Sequence, residues 1–108
     1  MLERPSGSPL STFRPLGLGV RTGAFPVNVG WPFPCRLSIY REGLSFRLLG
    51  AETWIPHEEI EMILRGPGQI RVIWSNNGAN ASATASDWFR VERLVAALEE
   101  GGYRILGA

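Results

Sequence analysis

The sequence contains no lysine; all eleven of its basic residues are arginine. It has one cysteine, Cys35, and one histidine, His57. A lone cysteine excludes an intrachain disulfide and a cysteine-based metal cage, and the expected role of Cys35 is that of a small apolar filler. A lone histidine excludes the paired imidazoles of most zinc sites. No stretch approaches the about 20 apolar residues of a spanning helix. The first residues lack a charged segment followed by a long apolar run, so a secretory signal is not expected and a cytoplasmic location is. The net charge is +1, unevenly placed. Residues 1–22 carry Arg4, Arg14 and Arg21 against Glu3, and the rest carries eight arginines against nine acids. A duplex-binding domain shows a strongly basic face; with no basic cluster in the core of this sequence, nucleic acid is not an expected partner.

What is present fits one domain. The 108 residues are 44% hydrophobic, enough for a single core. Residues 1–22 hold Pro5, Pro9, Pro15, Gly17 and Gly19. Proline removes backbone donors and glycine adds chain entropy, so this segment reads as a flexible lead-in to a domain over 23–106.

From residue 23 the pattern alternates. Phe25, Val27, Val29 and Trp31 fall on every second position, the period of a strand with one buried face. Pro26 within it predicts an edge strand, because its missing N–H would weaken a central ladder. Trp31-Pro32-Phe33-Pro34 then forces an extended bend. Leu37 and Ile39, the turn Arg41-Glu42-Gly43, then Leu44, Phe46 and Leu48 predict a β-hairpin, with Gly43 available for positive φ. Ile60, Met62 and Leu64 form the apolar phase of a further strand, and Ile70, Val72 and Trp74 that of the next. Gly66-Pro67-Gly68 breaks between them. Asn77-Gly78 is a favoured type I′ hairpin pair, and a strand of small residues is expected over 79–85. The period then changes. Trp88, Val91, Val95 and Leu98 recur at three- and four-residue spacing, an amphipathic helix that Ser86 or Asp87 can cap and Gly101-Gly102 can end.

The stretch 36–47, with its extended strand and turn before Gly43-Leu44, resembles the hairpin of bacterial pleckstrin-homology-like and GRAM-like domains. Ile55-Pro56-His57-Glu58-Glu59-Ile60 resembles their strand that begins Ile-Pro, and 88–103 resembles their closing helix with its Gly-Tyr exit. The resemblance covers residues 23–106. It implies a mainly β barrel or roll of about six or seven antiparallel strands, closed by one C-terminal amphipathic helix. It implies a scaffold rather than an activity. Phosphoinositide-binding members carry a lysine- and arginine-rich pattern in the first hairpin; this sequence lacks it, with Arg36, Arg41 and Arg47 in the comparable place.

No constellation reads as catalytic. His57 beside Glu58 and Glu59 has no partner histidine, and neighbouring strand residues point to opposite faces. Ser82, Thr84 and Ser86 lack a nucleophile-elbow pattern. Gly66-Pro67-Gly68 lacks the Lys and Ser/Thr of a phosphate loop. Neither an enzyme nor a cofactor is expected. The four tryptophans are many for this length. Trp74 and Trp88 are expected in the core, and Trp31 and Trp54, beside prolines, near a contact surface. The expectation is a non-enzymatic module that meets a protein partner or a second copy through Phe25, Val27, Trp31, Phe33 and Trp54. The alternative is a peripheral membrane module that uses Arg36, Arg41 and Arg47 on anionic lipid.

Overall fold

The computed structural model of the chain describes residues 7–22, 25–30, 35–48, 50–76 and 79–107. They form two sheets and one helix. Strands β1 (Ser11–Phe13), β4 (Cys35–Ile39), β5 (Gly43–Leu48) and β6 (Ala51–Pro56) make a four-stranded sheet in the order β1-β4-β5-β6. Strands β2 (Gly17–Thr22), β3 (Phe25–Gly30), β7 (Ile60–Gly66), β8 (Gln69–Asn76), β9 (Ala79–Ser86) and β10 (Ile105–Leu106) make the other, in the order β10-β7-β8-β9-β2-β3. A 3₁₀ turn, His57–Glu59, carries the chain from one sheet to the other. Helix α1 (Val91–Glu100) follows β9. No helix among the described residues is long and apolar enough to cross a membrane.

The pleckstrin-homology-like barrel is thereby corrected. The N-terminal strands are divided between the sheets, with β2 inserted between β9 and β3. The described strands do not close into a barrel, and β10 pairs parallel with β7. The lead-in over 1–22 is corrected as well, because it contains β1 and β2, and Leu18 and Val20 enter the core. A boundary at residue 22 would cut the hairpin in which Thr22 pairs with Phe25.

One core serves both sheets and the helix. Leu37, Phe46 and Ile55 from the first sheet, Ile63, Val72 and Trp74 from the second, and Leu94 and Leu98 from α1 belong to a single buried cluster. In β9 the alternation puts Ala81, Ala83 and Ala85 inward and Asn80, Ser82 and Thr84 outward. In β7 the expected phase is broken. A bulge between Ile60 and Met62 shifts the strand by one residue, so Ile63 is buried and Met62 is 40% exposed.

Two glycines are required by close approach. The Arg41-Glu42 loop is closed by Tyr40 and Gly43, the Tyr40 N–H donating to the Gly43 carbonyl at 2.9 Å. Gly43 is not among the positive-φ glycines, contrary to the sequence reading. A Cβ there would overlap the Ile55 carbonyl and come within 2.8 Å of the Trp54 ring. Gly43→Ala should therefore cost about 1–3 kcal/mol by overpacking, measured by urea unfolding. An unchanged midpoint would show that the ring and carbonyl can give way. Gly68, in the loop between β7 and β8, has φ +66° and lies beneath the Trp88 ring.

Helix α1 buries Val91, Leu94, Val95 and Leu98. Its end is tied by the Tyr103 N–H donating to the Leu98 carbonyl at 3.0 Å. Tyr103 donates its hydroxyl to the Tyr40 carbonyl of the first sheet.

Candidate functional site

Asp87 follows directly on β9, and its N–H donates to the Gly68 carbonyl at 2.9 Å. The chain thus passes the end of the β7–β8 hairpin and stops there before the helix begins. The Asp87 carboxylate is 5% exposed. One oxygen accepts the Phe89 N–H at 3.1 Å and the Arg90 N–H at 3.3 Å; the other accepts from Arg90 Nε at 2.9 Å. Arg90 Nη2 donates onward to the Arg14 carbonyl at 2.8 Å. A buried carboxylate with three donors and a paired charge is a rigid anchor. Between its ends the turn carries Trp88, 71% exposed, and Phe89, 87% exposed. Leu16 reaches the same end of the sheet, since Gly17 lies opposite Ser86, and it too is exposed.

The expectation that Trp88 is a core residue is corrected. Its spacing fits the helical wheel, but α1 begins at Val91, and the Asp87 turn sets residues 88 and 89 off the helix phase. Trp74 is buried as expected.

The other predicted residues are dispersed. Phe25 and Val27 lie in β3, which among the described residues pairs with β2 alone, so the edge position read from Pro26 is where the strand stands. Trp31 and Phe33 lie outside the described residues, as does the Asn77-Gly78 turn. Trp54 is half-buried, over Gly43 and edge-on to Tyr40 with ring centroids 5.6 Å apart. Arg36 and Arg47 are brought together as cross-strand partners in β4 and β5. Arg41 is not with them; it sits in the loop at the far end of the hairpin, about 17 Å away along the strand.

His57, Tyr103 and Cys35 are engaged in packing. His57 stacks on Tyr103 at 4.1 Å and places Nδ1 3.1 Å from the Arg41 carbonyl. Burial, and then the Glu42 charge, raise the Tyr103 phenol well above its ordinary value. Cys35 donates to the Pro15 carbonyl at 3.1 Å, and burial raises its thiol pKa, which keeps it protonated and a poor nucleophile. Among the described residues no three His, Cys, Asp or Glu side chains gather as a metal site. A shallow depression of about 430 Å³ on the outer face of the six-stranded sheet is lined by Arg21, Glu61, Arg71, Asn80 and Ser82 among others.

No protein-family model and no curated protein matches the chain. Among solved structures it is similar to an SsgA-like sporulation-specific cell division protein from Thermobifida fusca. The two share 15% identity over 89% of this chain and 85% of that one, with a TM-score of 0.39. The likeness found is to that protein in place of the pleckstrin-homology-like domains expected from the sequence.

Proposed function

We propose that this chain is a non-enzymatic interaction module that docks a protein surface through the Trp88-Phe89 turn. The observation that carries the reading is the exposure of two adjacent aromatics on a turn fixed from below by a buried carboxylate. A single exposed apolar side chain is ordinary. Two large exposed rings on one turn are not, because burying each would release about 1.5–3 kcal/mol. Aromatic anchors of this kind carry most of the energy of protein contacts, and a rigid turn loses little entropy when it docks. The edge of β3 offers a second element to the same partner, since edge strands present unpaired backbone groups.

The test places a photo-reactive phenylalanine analogue at position 89 of the full chain, with the same group at the exposed helix position of Arg93 as control. Position 89 is expected to cross-link a protein, and light scattering over a concentration series identifies the mate as a second copy or as another chain. Trp88→Ala with Phe89→Ala should weaken the contact about 100-fold or more. Equal cross-linking yields at 89 and 93 would end the reading.

A further inference from the structure

A second surface is assembled from arginines far apart in sequence. In the β1–β4 pairing Thr12 lies opposite Ser38 and Phe13 opposite Leu37. Arg14 follows directly on β1, where the same register continued by one residue would set it opposite Arg36, and Arg36 is the partner of Arg47. One hydrogen bond from β4 and one from the turn before α1 hold the chain past the end of β1. The Cys35 thiol donates to the Pro15 carbonyl, and Arg90 donates to the Arg14 carbonyl. Phe13, Leu37 and Phe46 face the core side of this sheet, so Arg14, Arg36 and Arg47 share the opposite face, and all three are exposed. Side chains directly opposite one another stand about 4.5–5.5 Å apart at Cβ, where like charges repel. Among the described residues none of the three guanidinium groups forms an ion pair or hydrogen bond. The acid next in the row, Glu52 opposite Arg47, accepts a hydrogen bond from the Ser45 hydroxyl.

We propose that this arginine row on the outer face of the four-stranded sheet binds an anion bearing two or more phosphate groups. The row spans two strand spacings, about 10 Å, wider than one phosphate. The guanidinium fork matches phosphate oxygens in pairs. A bound polyanion would also relieve the like-charge opposition built into the row. The face is a flat sheet surface, so the phosphates can belong to a lipid headgroup or to a free compound. The other exposed pair, Arg21 and Arg71, is different. The two lie on β2 and β8 with β9 between them, and Glu61 lines the same depression.

The test titrates the full chain at low salt with inorganic tripolyphosphate and, separately, with phosphatidylcholine vesicles with and without phosphatidylinositol 4,5-bisphosphate. Binding to either phosphate probe is expected, weakened by salt, with a rise in melting temperature. Arg36→Gln with Arg47→Gln should weaken it about tenfold or more. Arg14→Gln alone should weaken it less. Arg21→Gln with Arg71→Gln removes equal charge and should leave binding within about twofold. Vesicle binding without tripolyphosphate binding identifies a lipid source, and the reverse a free one. Removing the opposed charges should not unfold the sheet, and circular dichroism checks that. No binding to either probe, or equal losses in the two double variants, would overturn the proposal.

Discussion

Residues 23–108, produced without the segment before them, are expected to show no cooperative unfolding transition in urea, while the full chain shows one. The reason lies in the sheet order. Strand β2 is bonded on one side to β9 over six residue pairs and on the other to β3 over six more. Removing it strips β3 of its partner, exposes the length of β9 as a raw edge, and takes Leu18 and Val20 from the core. The two side chains alone account for about 3–6 kcal/mol. A domain of this size has about 5–15 kcal/mol in all. The lost ladders and the loss of β1 add to the deficit. Tryptophan fluorescence gives the readout. A truncated chain unfolding cooperatively near the midpoint of the full chain would show that β2 is dispensable.

The largest effect expected of a single substitution is at Phe46. It is the bulkiest of the fully buried side chains, 1% exposed. It sits on β5, with Leu37 opposite on β4 and Thr53 opposite on β6. Ladders on both sides fix the backbone, so the neighbours cannot collapse into the space left by truncation. Phe46→Ala should then cost about 3–5 kcal/mol. Phe46→Leu, which keeps most of the volume, should cost clearly less. Equal losses in the two variants would mean that something other than the cavity sets the cost.

Much of the fold is legible in the sequence where a strand alternates without interruption. The β4–β5 hairpin, β8 and the small-residue β9 are of this kind, and each has the inward face that its pattern predicts. The misses have physical causes. In β2 the apolar phase is two residues, Leu18 and Val20, set among glycines beside Pro15, so turn chemistry masks a central strand. In β7 one extra residue at the bulge inverts the face of everything after Ile60, and no period-2 reading anticipates it. The pairing of β10 with β7 is parallel and long-range, which local pattern cannot specify. The candidate surfaces were half legible. Arg36 and Arg47 are visible as a charged pair in the hairpin, but their shared face follows from a register that spacing alone leaves open. Arg14 joins them only through β1. Trp88 and Phe89 fit the helix wheel, and only the side-chain bonds of Asp87 show that the helix starts after them. The sequence-level signal was present in Asp87 itself, a residue that caps turns as readily as helices.

The place of β2 also sets a schedule for synthesis. Thr22 pairs with Ala81 and Gly17 with Ser86, so one whole side of this strand waits for a partner made about 60 residues later. At ribosomal speeds of about 5–20 residues per second the wait is roughly 3–12 s. During it the β2–β3 hairpin is finished and alone, and an isolated two-stranded hairpin is marginal in water. Contacts this distant along the chain also slow refolding from denaturant. The nascent chain therefore carries one edge of β2 unpaired through that interval, which is when a holding chaperone would find it.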